Sequence, residues 1–182
     1  DEISWGSSRE IVWVILAALI AGLIAKLPAI AGIKEDFFYP RNVGFIIFPA
    51  LMAYFGWKNR LATGKIVFIA GATLLGLVFI NSLPDVRNSD TLVLSCLHLL
   101  LFLWCVLGFA FVGEAKTNVE GRLLFLKYNG DLIVMSALIL IAGGIMTGVT
   151  IGLFSLIGLN ITNFYFENVV VFGLPAVPIA GT

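Results

Sequence analysis

Residues 131–158 read DLIVMSALILIAGGIMTGVTIGLFSLIG, and after Asp131 this stretch contains no charged side chain. At a rise of about 1.5 Å per residue it is long enough to cross a hydrocarbon layer about 30 Å thick. Four more blocks of similar character, and a sixth that runs to the C-terminus, repeat the pattern. The chain is 60% hydrophobic and 12% charged, with a mean hydropathy of +1.04. A soluble domain is closer to half apolar and a quarter charged. No alternating strand pattern of about ten residues suggests a barrel. Backbone amides in lipid must then be satisfied within each segment, so the spans are expected to be helices. The fold class is all-α, a polytopic transmembrane helix bundle of about six spans, with the lipid bilayer as its first partner.

The expected spans are 11–33, 43–57, 65–83, 91–112, 131–158 and 164–182, within a single transmembrane domain 1–182. The second is short, so it either begins at Phe37 and bends at Pro40, or is tilted or partly re-entrant. Asn129-Gly130 is expected to turn the chain and Asp131 to cap the fifth span. Pro175 and Pro178 are expected to kink the sixth. The chain opens on Asp1, and its first apolar block is too long for a cleaved signal. A fragment or a processed chain is the expectation.

Charge sets the direction. Arg9, Lys58, Arg60, Lys65, Lys116, Arg122 and Lys127 fall on one side, against Lys34, Arg41 and Arg87 on the other. Seven against three puts the N-terminus in the cytoplasm. Trp13, Trp57 and Tyr128 then mark the inner interface, and Tyr39, Phe164 and Tyr165 the outer one. Trp104 falls mid-span and reads as a packing residue. The longest loop, 113–130, carries Val119, Leu123, Leu124 and Leu126 among charged residues. It reads as a short amphipathic helix on the inner surface, either a partner-docking or lipid-sensing element, with docking from Asn118 to Tyr128, or a plain connector.

Small residues recur at helical spacing. Gly144, Gly148 and Gly152 share one face of span five. Ala17, Ala21 and Ala25 do so on span one, and Ala72 with Gly76 on span three. Such faces let helix backbones approach closely in lipid. Packing inside the bundle is the main expectation, and a homo-oligomer face the alternative. Thr147 and Thr150 can bond carbonyls of their own helix.

Two ionisable residues fall inside spans, Lys26 and His98. Charge is costly in lipid, so both are ligand-binding candidates. At about 10 Å below the outer interface they lie at one depth. Asn81, Ser82 and Ser95 could line a shared polar cavity with them. The alternative is that Lys26 snorkels to the headgroups and His98 bonds a local carbonyl.

Catalytic signatures are missing. One histidine excludes a His-rich metal site, and no metal or cofactor is expected. Cys96 and Cys105 lie on nearly opposite faces of one helix, about 13 Å apart along it, and cannot pair. No phosphate loop or nucleophile elbow is present. Zero net charge gives no field that would attract nucleic acid. Asn160-Ile161-Thr162 fits a glycosylation sequon.

The run Arg122-Leu-Leu-Phe-Leu-Lys-Tyr-Asn-Gly-Asp131, then Ala142-Gly-Gly-Ile-Met-Thr-Gly148 and Thr150-Ile-Gly-Leu-Phe-Ser-Leu-Ile-Gly158, resembles an uncharacterised bacterial membrane family, domain of unknown function 4153. The resemblance continues through Phe164-Tyr-Phe166 and Val169-Val-Val-Phe-Gly173, mainly over residues 113–182. It implies a multi-pass protein of the bacterial cytoplasmic (inner) membrane whose relatives are usually longer. It implies no substrate, cofactor or site residue.

Three functions compete. The first is a permease or a lipid- or small-molecule-handling protein with an outer-leaflet cavity around Lys26 and His98. The second is a non-catalytic subunit or signalling anchor that acts on another membrane subunit through the loop 113–130. An intramembrane enzyme ranks last, because the spans contain neither a nucleophile with its base nor paired acids.

Overall fold

The computed structural model describes residues 8–86, 89–113 and 119–182. Asp1, Arg87, Lys116 and Asn118, on which parts of the expectations above rest, lie outside the described residues. Among the described residues the chain is helical and has no strand. In order the helices are α1 (Ser8–Ala31), α2 (Glu35–Lys58), α3 (Thr63–Ser82), α4 (Asp90–Val112), α5 (Val119–Leu156) and α6 (Thr162–Ala180). All but α2 are long and apolar enough to cross a membrane. Their outward residues are strongly apolar: Leu75 is 72% exposed and Ile133 68%. Water would not tolerate so large an apolar surface, whereas hydrocarbon does. An all-α bundle of membrane-spanning helices is therefore the architecture.

The chain divides into two compact units. One comprises residues 27–129 and contains α2, α3 and α4, with the last turn of α1 and the first turns of α5. Helix α2 is its centre and packs on both α3 and α4. Here the expected bounds 43–57 are corrected towards the longer alternative that begins at Phe37. The helix starts at Glu35 and runs 24 residues, about 36 Å. Pro40 and Pro49 both lie inside it. Arg41, counted in sequence as a loop charge, is a buried residue of this helix. Helix α2 carries Glu35, Asp36, Arg41 and Lys58 and is the least lipid-like of the six. It is also the most enclosed, burying Phe38, Phe45, Ile46, Leu51, Met52 and Phe55 against its neighbours.

Two glycines allow the close approach. A Cβ built at Gly44 would lie 2.7 Å from Leu103 Cδ1 and 3.0 Å from Leu100 Cδ2 on α4. One at Gly76 would lie 3.1 Å from Leu99 Cδ1 and 3.5 Å from Phe45 Cζ. The small-residue face expected on α3 is thus used inside the bundle. Helix α4 opens with Ser89 as its cap, whose hydroxyl accepts from the Leu92 amide at 3.3 Å. It ends at Gly113, where φ is +64°, a left-handed conformation that glycine adopts without steric cost.

The expected break at Asn129-Gly130 is also corrected. Helix α5 runs unbroken for 38 residues, about 57 Å, and Asp131 lies inside it rather than at a cap. Asn129 is engaged elsewhere. It accepts from Trp104 Nε1 at 2.9 Å and donates to the Phe125 carbonyl at 2.6 Å, so its side chain does not divert the backbone into a turn. Gly130 alone costs a helix only about 1 kcal/mol. Residues 119–129 are therefore the first turns of α5, not a separate surface helix. Phe125 is buried and meets Trp104 at 5.3 Å and Phe111 at 5.4 Å between ring centroids. Tyr128 stacks on Phe111 at 5.0 Å. Trp104 is a packing residue, as expected, and also a hydrogen-bond donor.

The other unit comprises residues 1–26 and 130–182. Ala17, Ala21 and Ala25 are buried, and a Cβ at neighbouring Gly22 would run into the Phe172 ring of α6. The alanine face of α1 is therefore a packing face. Within this unit and among the described residues, a Cβ at Gly144, Gly148 or Gly152 of α5 meets nothing within 4 Å. Thr150 donates to the Met146 carbonyl at 2.8 Å, as expected. Pro175 and Pro178, expected to kink the sixth span, both lie inside helix α6. Its departure from α geometry lies earlier, in a π-helical stretch at Phe166–Val170.

Candidate functional site: the α3–α4 groove

A groove of about 570 Å³ lies between α3 and α4, within the range of small-ligand sites. Its walls include Leu75, Phe79, Leu94 and Phe102, and its polar groups are Ser95 and His98. Phe79 is 54% and Leu94 56% exposed, so the groove opens on the surface that meets lipid. Gly76 forms part of its lining. Its missing side chain lets Leu99 approach closely, since a Cβ there would lie 3.1 Å from Leu99 Cδ1.

The histidine's chemistry follows from one bond. His98 Nδ1 lies 2.8 Å from the Leu94 carbonyl one turn back. A carbonyl oxygen only accepts, so Nδ1 carries the proton. In the neutral ring that leaves Nε2 as a lone-pair acceptor. Ser95 donates to the Thr91 carbonyl at 2.7 Å and keeps its own oxygen lone pairs. His98 lies eight residues into α4, about 12 Å from its start. At that depth a charged ligand group is costly and a hydroxyl is not.

Of the residues expected to share a cavity, His98 and Ser95 come together here and Asn81 does not. Asn81 forms a reciprocal amide pair with Asn42 of α2. Asn81 Nδ2 donates to Asn42 Oδ1 at 2.9 Å, and Asn42 Nδ2 donates to Asn81 Oδ1 at 3.2 Å. Each amide also donates to the carbonyl four residues back, Leu77 at 3.0 Å and Phe38 at 3.0 Å. Both N–H groups of both amides are thereby used, and the pair clamps α2 to α3. Ser82 bonds the Phe79 carbonyl at 2.7 Å. Lys26 belongs to the other unit, where its ammonium donates to Asn168 Oδ1 on the π-helical turn of α6. It lies five residues before the end of α1, about 8 Å. Asn168 in turn donates to the Phe164 carbonyl at 2.9 Å.

The clamp has a measurable consequence. Asn42→Leu should cost about 0.6–1.7 kcal/mol, the range for such bonds in helical membrane proteins. It leaves the Asn81 amide half-satisfied beside lipid. The double variant with Asn81→Leu should recover part of that loss, because an unmade bond costs more than a missing pair. Folded fractions from a denaturing-detergent titration of the two singles and the double give the coupling directly. Strictly additive losses would mean that the amides do not act as a pair.

Sequence reading missed Arg41 and Asn42. Arg41 is 1% exposed. Its Nη1 donates to the Phe37 carbonyl at 3.2 Å. Its Nη2 reaches the Pro84 carbonyl and Asp85 Oδ1, each at 3.5 Å, and the guanidinium sits 4.0 Å over the Phe37 ring. The usable signal was the shortness of the second apolar block: a helix long enough to span must take Arg41 and Asn42 inside. Among the described residues no group of three or more His, Cys, Asp or Glu side chains is placed to hold a metal ion. No protein-family model, no curated protein and no solved structure matches the chain.

Proposed function

We propose that this is an integral membrane protein that handles a neutral, hydroxyl-bearing lipid, held in the α3–α4 groove with its hydroxyl donating to His98 Nε2. The observation that carries the reading is the His98 Nδ1–Leu94 carbonyl bond, which makes an acceptor of the other ring nitrogen in an otherwise apolar groove. Leu75, Phe79 and Phe102 suit an acyl chain, and Ser95 offers a second acceptor one turn away. The orientation read from Lys and Arg, the assignment to a bacterial cytoplasmic membrane and the resemblance to the family domain of unknown function 4153 belong to the same proposal. They are supported by the charge count and the quoted C-terminal runs.

The test uses photoactivatable hexadecanol and its methyl ether, which lacks the donor, as probes on the purified protein in nanodiscs. The alcohol should label α3 and α4 more strongly than the ether by about 2–10-fold, the worth of one hydrogen bond of 0.5–1.5 kcal/mol. His98→Phe should erase the difference while leaving ether labelling unchanged. Equal labelling by the two probes in the wild-type protein would sink this site assignment.

A further inference from the structure

A second groove lies at the opposite end of α4 and has a different chemistry. It is formed by the start of α3, the last turns of α4 and the first turns of α5, with a volume of about 860 Å³. Among the described residues its lining holds two cations, Lys65 and Arg122, and no carboxylate, over an apolar wall that includes Trp104, Phe109 and Leu126. Lys65 is held at the mouth. Its ammonium donates to the Gly113 carbonyl at 3.1 Å and lies 5.5 Å from the Phe109 ring centroid. Arg122 is exposed on the first turns of α5. Gly108 makes room for the packing beneath: a Cβ there would lie 3.0 Å from Phe125 Cε1.

We infer that this groove is a binding site for an anionic phospholipid, its phosphate between Lys65 and Arg122 and an acyl chain along Trp104, Phe109 and Leu126. Charge complementarity selects the occupant. Two cations over an apolar wall on membrane-spanning helices match a lipid that carries a negative headgroup above a hydrocarbon tail. A zwitterionic lipid fills the wall equally well but brings its own cation to the Lys65–Arg122 pair. Arg122 can engage two phosphate oxygens at once through its planar fork, and Lys65 adds a point charge. The unbroken start of α5 is what brings Arg122 to this groove. The site needs only that the helices cross a membrane, and it stands or falls independently of the His98 groove.

The experiment is competitive lipid retention by native mass spectrometry, with the full chain exchanged into equal amounts of phosphatidylglycerol and phosphatidylcholine. The wild-type protein should retain the anionic lipid over the zwitterionic one by about tenfold. Arg122→Gln alone, at an exposed position, should lower the ratio several-fold. Lys65→Gln with Arg122→Gln should bring it close to one. The amide that Lys65→Gln introduces can still donate to the Gly113 carbonyl and keep α4 capped. Raising the salt before exchange should compress the wild-type preference. A second readout locates the lipid. Brominated phosphatidylglycerol should quench the fluorescence component that Trp104→Phe removes more than brominated phosphatidylcholine does. Equal retention of the two lipids by the wild-type protein, or an undiminished ratio in a double variant that keeps its helical circular dichroism, overturns the inference.

Discussion

Gly44→Val is expected to cost about 1–3 kcal/mol, the usual range for overpacking a closed core, and to sit at the upper end of it. Even a single Cβ at position 44 would come to 2.7 Å from Leu103 Cδ1, and Leu103 is 0% exposed, so it has no empty space to turn into. Valine adds two methyl groups beyond that Cβ. The two helices must separate, and α2 loses contacts along Phe45 and Ile46 as well. Leu103→Ala should restore much of the loss when combined with Gly44→Val, although alone it should cost about 2–5 kcal/mol. Folded fraction in a denaturing-detergent titration reports all three variants. A double variant no better than the worse single would show that the two positions do not share one volume.

Arg41 gives the second large effect, and its sign depends on the replacement. Arg41→Ala removes one of the largest fully buried side chains in the protein and should cost about 2–5 kcal/mol by opening a cavity. Arg41→Met keeps most of the volume and removes the charge. Its stability should fall between unchanged and about 1–4 kcal/mol above the wild type, because the buried charge is poorly compensated. Among the described residues the Nε group has no partner and two of the three hydrogen bonds are at 3.5 Å, while the carboxylate of Asp85 is 63% exposed. A water-screened carboxylate at that distance contributes little. The same titration separates the cases. If methionine costs as much as alanine, the guanidinium bonds themselves hold α2 to the segment at Pro84–Asp85.

The apolar spans were legible because lipid imposes one rule on every residue that faces it. Residues 91–112 and 131–158 read as helices from hydropathy alone, and α4 and α5 account for nearly all of them. Misreadings arose where local signals met tertiary partners. Asn129-Gly130 has the composition of a turn, but Trp104 reaches across to Asn129 and the helix continues. Arg41 has the composition of a loop, but Phe37, Pro84 and Asp85 surround it inside the bundle. Residues Asn81 and Ser95 looked alike in sequence, two polar groups near a span end. Only their neighbours divide them: Asn81 faces Asn42, and Ser95 lines the groove with His98. Trp104, read as packing alone, also proved to be the donor that engages Asn129 where α5 continues.

Sequence by itself determined that this chain is helical, that most of its helices are lipid-exposed, and that its few in-span polar groups must find partners. The energetic reason is general: hydrocarbon leaves backbone and charge no solvent to fall back on. Tertiary structure decided which helix is shielded from that solvent. It is α2, the helix with the most charged residues for its length, because Arg41 and Asn42 find partners only with α3 and the Pro84–Asp85 segment around them. It also decided which small-residue faces are used. The faces of α1 and α3 meet the Phe172 ring and the Leu99 side chain, while the equally regular glycine face of α5 meets no described residue of its own unit. Spacing shows that a close approach is available, and only a neighbouring helix makes it happen.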